Sequence, residues 1–347
     1  MKRIFYVSRF ARPLTERDIE RIHEGAVRFN HRNGITGILV CLGDTFFQVL
    51  EGKPAVVDAL YGRILFDNRH KNVLCLKSET GVRKRMFPEW DMRVFNLNED
   101  NEVLPMAFRQ VLTALLESSH TIIQYTQPSI LKMLQQGVNP TSVKPRRKRV
   151  TVLFSDIVGF SRFAERLDPA ELIDLVNSHA EVCTRHIDTH GGEVNKLLGD
   201  GVLAYFSERD SDTAIRASVE MLHEMQRRRA RSKQSSPHKL LYGGVGLANG
   251  LVYEGNIGPA LKRDFTILGN TVNLASRLES FTRELNVRMT IDPSARNRAR
   301  VNWPFRSLGR HRLKGQSKAV EIFSLESLKP LDAAKLHDRI DAFLKTK

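Results

Sequence analysis

The chain has 347 residues, which at about 150 residues per domain divides into roughly two domains and excludes a mini-protein. Apolar residues make up 41%, charged residues 27% and aromatic residues 7%, an ordinary globular composition outside the disordered, collagen-like and disulfide-scaffold classes. Lysine plus arginine outnumber aspartate plus glutamate by 54 to 39, and the formal +15 admits nucleic acid, an anionic membrane or phosphorylated ligands without choosing among them.

The first hundred residues alternate short strands and helices. A strand is expected over Ile4 to Val7. A helix follows over Glu16 to Asn30, where Ile19, Ile22, Ala26, Val27 and Phe29 share one face and Thr15 can cap the start. Gly37 to Cys41 and Thr45 to Leu50 read as a hairpin turning at Leu42-Gly43-Asp44, followed by a helix over Ala55 to Leu65 and a strand over Val73 to Lys77. Together these make an α+β unit of one sheet with helices on it. From Leu104 to Gln136 the spacing is helical, broken at Pro128. Its apolar stripe could pack on the first domain, on the second or on a partner chain. Gly137 to Pro140 and Pro145 then stop the helix, placing a domain boundary near 140 to 148.

The second half alternates on a larger scale, as an α/β domain does. Helices are expected at 169–189, 211–231 and 271–286, and strands at 150–154, 193–198, 202–206, 240–248 and 319–325. The polar run 229–237 reads as a mobile loop. Cys41, Cys75 and Cys183 form no CxxC pair, so the cysteines suggest neither a disulfide framework nor a zinc site and fit a reducing cytosol. The amino terminus lacks a signal-peptide apolar segment and no stretch nears the ~18 apolar residues of a spanning helix, so a cytoplasmic protein is expected.

Chemistry concentrates in the second half. Asp156 ends an apolar strand in FSDIVGFS, and Asp200 sits in the Gly199-Asp200-Gly201 turn of a hairpin within GGEVNKLLGDG. Two such carboxylates can meet in space, and hard oxygen ligands suit magnesium or manganese. Taken alone, an aspartate in such a turn most often only shapes the turn. Asn273 and Arg277, four apart on a helix in ILGNTVNLASRLE, put an amide and a permanent cation on one face, and Lys314 in LKG offers a point charge to phosphates.

These four segments, in this order, resemble the catalytic domain of class III adenylate and guanylate cyclases. The resemblance implies an α/β domain active as a homodimer with shared sites. Asp156 and Asp200 would hold two Mg²⁺ or Mn²⁺ ions with help from the Ile157 carbonyl. Asn273 and Arg277 would orient the ribose and stabilise the phosphorane, and Lys314 would grip the terminal phosphates. Lys196 and Thr266 match the pair that reads adenine, which favours ATP over GTP: the lysine can donate to ring N1 and the hydroxyl can accept from the exocyclic amine.

The first half has no paired carboxylates and no nucleophile beside a base. On an alternating strand Gln48 shares a face with Phe46 and Leu50, so its amide points into apolar surroundings and needs partners. Gln48 could merely satisfy backbone groups, with Tyr6 and Trp90 as core aromatics. The segments IFYVS, NHRNGITGILV, FFQVLEG, YGRILFDNRH and MFPEWDMRVF nevertheless resemble the BLUF family of blue-light sensors using flavin. This implies a ferredoxin-like fold holding a flavin, usually FAD with FMN as the alternative, between two helices. Asn30 would bind its polar edge and Ile35 would pack on the ring. Arg63, Asp67, Arg69 and His70 would lie near its ribityl and phosphate end. Tyr6 and Gln48 would be the photochemical pair; a change at Gln48 is expected to reach the sheet edge containing Trp90 and Met92.

The joint reading is a BLUF sensor over 1–98, a helical coupler and linker over 99–148, a cyclase domain over 149–328 and a C-terminal helical tail over 329–347. Together the halves imply a light-activated adenylate cyclase with ATP as substrate, a second copy as partner, and neither nucleic acid nor membrane. The competing readings are a guanylate cyclase, a flavin sensor with a dead cyclase-like interaction domain, and a DNA-binding regulator suggested by charge alone.

Overall fold

The computed structural model describes residues 1–11, 15–97, 125–207, 211–259, 262–313, 319–331 and 333–345. Contacts divide the chain into two compact units, Met1–Val143 and Lys144–Lys347.

In the first unit the described elements run β1 (Lys2–Phe10), α1 (Glu16–Asn33), β2 (Thr36–Leu42), β3 (Thr45–Gly52), α2 (Pro54–Leu65), β4 (His70–Thr80), β5 (Arg93–Asn96) and α3 (Pro128–Gln135). The sheet order is β4-β1-β3-β2-β5, a ferredoxin-like arrangement in which β5 adds a parallel edge beside β2. Helix α1 starts where the Thr15 side chain accepts from the Asp18 backbone N–H while the Asp18 carboxylate accepts from the Thr15 N–H, a reciprocal cap worth about 1 kcal/mol. It stops at Gly34, whose φ of 63° favours a residue without Cβ.

Side chains alternate across β1 and so divide the unit into layers. Ile4, Tyr6 and Phe10 join Phe46, Leu50 and the inner faces of α1 and α2 in one core. Val7 and Leu74 point the other way, under Leu131 and Leu134 of α3. The sequence left three surfaces open for this apolar stripe, and its described part covers the outer face of the first unit's own sheet. The 104–124 part of the expected helical stretch lies outside the described residues.

The second unit runs β6 (Arg146–Ile157), α4 (Phe160–Phe163), α5 (Pro169–Thr189), β7 (Glu193–Leu198), β8 (Gly201–Ser207), α6 (Asp212–Arg231), β9 (Gly243–Ile257), β10 (Asp264–Leu268), α7 (Asn270–Glu284), β11 (Met289–Ile291), α8 (Pro293–Arg298), β12 (Phe305–His311), β13 (Val320–Leu325) and α9 (Ala333–Lys345). The sheet order is β12-β13-β11-β9-β6-β8-β7, with β10 paired to β9. One face is covered by α5 and α6 through Leu175, Val182, Ile215 and Met221, with Ile340 and Phe343 of α9 in the same core. The other is covered by α7 through Ala275 and Leu278.

Two expectations change here. Residues 229–231 are the last turn of α6 rather than loop. Arg229 donates to the Leu241 carbonyl at 2.8 Å and its guanidinium lies 3.7 Å from the Tyr242 ring centroid, which holds a polar segment in regular structure. The expected 240–248 strand starts at Gly243 and continues to Ile257, because β6 and β10 pair along its whole length. Strands β5, β10, β11 and β12 carry little periodicity of their own and were not expected; they exist through pairing with neighbours. The basic run 146–149 opens β6, where Arg146 and Lys148 both bind the buried carboxylate of Glu254, so part of the positive excess is structural.

Candidate active site and ligand cavity

In the first unit a cavity of about 390 Å³ opens between α1, α2 and the sheet. It gathers Tyr6, Asn30, Gln48, Arg63, Asp67, Arg69, His70 and Met92 among its lining residues. Tyr6 and Gln48 are directly opposed across the β1–β3 ladder, so their side chains meet on the cavity face and the Tyr6 hydroxyl donates to Gln48 Oε1. Burial pushes the Tyr6 phenol far above its usual range, which keeps it protonated and a donor. The Gln48 amide donates onward to Met92 Sδ at 3.4 Å. Asn30 spends one amide N–H on the Asp91 carbonyl at 2.7 Å. At another part of the wall the Arg69 hydrogen bond holds the Asp67 carboxyl down at about 2, and His70 takes a 2.8 Å hydrogen bond with Ser8 Oγ.

Two expected contacts fall elsewhere. Ile35 is fully buried in the core and does not line the cavity. Trp90 also lies outside it, stacked on Phe87 at 5.3 Å and covered by Arg93, while its carbonyl accepts from Gly37 N–H. Both residues lie in the irregular segment just before β5, where Met92 turns inward to the cavity and Trp90 does not. Sequence reasoning passed over Arg21, Gly25, Leu39, Leu60 and Ile64, which also line the cavity; the face of α1 bearing Ile22, Ala26 and Phe29 was the available signal.

In the second unit Asp156 and Asp200 converge. The β7–β8 register pairs Leu198 with Gly201, leaving Gly199 and Asp200 as a two-residue turn in which Gly199 takes a φ of 66°. Beside it, β6 pairs Ser155 with Val202, so Asp156 arrives next to the turn. The Ile157 N–H donates to Asp156 Oδ1 at 3.0 Å and to Asp200 Oδ2 at 3.3 Å. Burial first, then the adjoining Asp156 carboxyl, push Asp200 up to about 8. Arg283 of α7 approaches Asp156 at 3.4 Å but is itself shared with Glu279.

Lys196 and Thr266 occupy the neighbouring strands β7 and β10. Lys196 Nζ donates to Asp264 at 3.0 Å, and the Thr266 hydroxyl donates to Asn195 Oδ1 at 2.7 Å. Asn273 and Arg277 lie on the side of α7 away from Ala275, Leu278 and Thr282, which face the sheet. Among the described residues no hydrogen bond or ion pair ties either of them to the aspartates, and Arg277 Nη1 is buried without a partner. Lys314 lies outside the described residues.

A family profile described as sensors of blue-light using FAD matches residues 1–93, and one described as the adenylate and guanylate cyclase catalytic domain matches residues 142–327. The solved structure of a bacterial light-regulated adenylyl cyclase is 37% identical with a TM-score of 0.93, covering 100% of this chain and 99% of that one. The chain belongs to the light-regulated adenylyl cyclases. Two curated relatives from Euglena gracilis, photoactivated adenylate cyclase subunits alpha and beta, are 27% and 28% identical over 99% and 95% of the chain. The chain spans 34% and 40% of the lengths of those two relatives. Among the described residues no helix of this light-regulated cyclase is long and apolar enough to cross a membrane. Asn195 and Asp264, which hold the two base-reading candidates, were missed because their neighbours along the chain give no hint of a pairing across two strands.

Proposed function

We propose that this protein is a blue-light-activated adenylate cyclase that converts ATP to cyclic AMP and pyrophosphate, with two divalent ions in each of two sites shared by a homodimer and FAD in the sensor cavity. The observation that carries the reading is the Asp156–Asp200 convergence. Two carboxylates that share one N–H, one of them reluctant to ionise alone, form a hard-oxygen donor set that a divalent cation satisfies. Magnesium or manganese there would supply charge neutralisation on the triphosphate and lower the pKa of the ribose 3′-hydroxyl. Asp156 and Asp200 would hold the ions, with the Ile157 carbonyl beside them.

The remaining residues position and discriminate. Lys196 is a donor only, so it suits the N1 lone pair of adenine and opposes the N1–H of guanine. The Thr266 O–H donates to Asn195 Oδ1, which leaves the hydroxyl's lone pairs for an exocyclic amine. Arg277 would stabilise charge on the α-phosphate as the 3′-hydroxyl attacks and pyrophosphate leaves, Asn273 would orient the ribose, and Lys314 would hold the departing phosphates. Their placement on the outer side of α7, together with exposed Leu197, Leu251, Tyr253 and Leu268, supports a site completed by a second copy.

In the sensor the apolar cavity with Asn30 at its wall and Arg63 and Arg69 in its lining fits a flavin and its phosphates. Flavin would supply blue-light absorption and electron acceptance. Tyr6 would release its proton toward Gln48, and a turned Gln48 amide would exchange its contact with Met92, which immediately precedes β5. Tyr6 and Val7 alternate on β1, so a shift of that strand would also reach Leu131 and Leu134 of α3.

The test is purified, yellow protein given Mg²⁺ and ATP or GTP, in darkness and under blue light. Cyclic AMP formation that rises with light is the expected result, and equal output in both conditions sinks the switching claim. For the shared site, D200N and R277A chains, each inactive alone, should recover activity on mixing, because one site of the mixed dimer then has both residues.

A further inference from the structure

A second group of metal-ligating side chains lies outside the aspartate site. His186 lies in the last turn of α5 and His190, four residues on, is the residue that caps its carboxyl end, so the two imidazoles come to the same side of the helix end. Glu220 comes from α6, packed alongside. Its Oε2 lies 2.9 Å from His190 Nε2 and 3.3 Å from His186 Nδ1, and the three donor atoms all fall within 4.8 Å of one another.

We propose that His186, His190 and Glu220 form a site for a zinc-class divalent transition metal, clamping the end of α5 to α6. The donor set is two imidazole nitrogens and one carboxylate oxygen, a combination zinc accepts with a fourth position left to water. At metal–ligand distances of ~2.1 Å, tetrahedral donors stand roughly 3.4 Å apart; the His186–Glu220 separation of 3.3 Å is close to that spacing, and the His190–Glu220 separation of 2.9 Å would have to open by about 0.5 Å to admit an ion. The histidine side chains are 16% and 15% exposed and Glu220 is 44% exposed, so the ligands are held by packing while an ion has a path from solvent. Glu224 also faces this group and is engaged by Arg185, Arg227 and Arg228, so it competes little for the ion. One feature limits affinity: among the described residues His186 Nε2 is buried without a partner, so that ring lacks the outer hydrogen bond that usually supports a ligating histidine. Affinity on the order of micromolar follows, rather than that of a closed structural zinc site.

The site shares no residue with Asp156 and Asp200. His179, which touches Ser155 beside Asp156, precedes His186 by seven residues, roughly 10 Å along the helix. The chain passes from His190 through Gly191-Gly192 directly into β7, which carries Lys196, so an occupied clamp would stiffen the root of the base-reading strand.

The test uses untagged full-length protein with Mg²⁺ saturating, and Zn²⁺ titrated against a chromophoric chelator. One competing site per chain is expected. H190Q and E220Q should each weaken it at least about tenfold, with circular dichroism unchanged, whereas D200N should leave it intact. Co²⁺ should give visible bands of four-coordinate cobalt with the unaltered protein and not with H190Q, a readout independent of enzyme activity and of fold stability. Zinc affinity unchanged in both H190Q and E220Q, or lost in D200N instead, overturns the assignment.

Discussion

The Thr266 hydroxyl donates its hydrogen to Asn195 Oδ1 at 2.7 Å, while both side chains are buried. Asn195 in turn is fixed by its own donation to the Phe265 carbonyl at 3.4 Å, so its oxygen is the end that faces Thr266. A threonine hydroxyl can donate or accept; here its hydrogen is engaged by Asn195, which leaves only its lone pairs for a further contact.

N195A should therefore cost base discrimination more than turnover. With the hydroxyl free to rotate, Thr266 can donate to the O6 of guanine, and the ratio of kcat/KM for ATP over GTP should fall about tenfold, the worth of one correctly directed hydrogen bond. An unchanged ratio in a folded N195A protein rules out the orienting role. Selectivity would then rest on Lys196 alone.

Tyr6→Phe keeps the ring that packs against Tyr61 at 5.5 Å and removes only the hydroxyl that binds Gln48. The protein should still load flavin, show no lasting light-minus-dark absorbance change, and hold cyclase output at its dark level. M92A, which removes the sulfur accepting from Gln48, should retain the absorbance change and lower the lit-to-dark activity ratio. Photoactivation that survives Y6F would mean that the Tyr6–Gln48 bond is only structural.

D156N or D200N should each lower kcat by roughly three orders of magnitude, the scale of charge stabilisation that a catalytic ion supplies. Mg²⁺ should raise the melting temperature of the unaltered protein, because binding to the folded state alone stabilises it, and that rise should shrink in both variants. A full Mg²⁺ shift in D156N and in D200N would place the ions elsewhere.

His179 sets an acid limit. It is fully buried, Nε2 meets Ser155 Oγ at 3.1 Å, and burial lowers its pKa to about 4. The unfolded chain, with an ordinary histidine near 6.5, binds the proton first. Stability from this group is complete above about 6.5 and is lost as pH falls toward 4, by at most about 1.4 kcal/mol per pH unit. Denaturation of H179Q across this range should be less steep in pH than that of the unaltered protein, even if H179Q is less stable throughout. Parallel pH profiles would contradict it.

Much of this protein was legible along the chain. Helix α5 spans the expected 169–189 because capping by Asp168, Pro169 at the first position and a regular apolar stripe all lie within one segment. Asp156 and Asp200 could be singled out because a strand end and a glycine turn are local signals. Residues whose role depends on another strand or helix were not legible. Trp90 and Met92 sit two apart in one segment, yet only Met92 lines the cavity. Asn195 is one residue from Lys196, and its partner lies 71 positions away.

The sequence by itself determined the division into two units and their main helices and central strands, since spacing, caps and turns act over a few residues. Only the tertiary structure decided which face of the first unit's sheet α3 covers, which of two neighbouring side chains reaches the cavity, that Thr266 donates to Asn195, and that His186, His190 and Glu220 meet. Those outcomes depend on strand register and on helices packing side by side, and such contacts join residues whose chain neighbours carry no trace of the pairing.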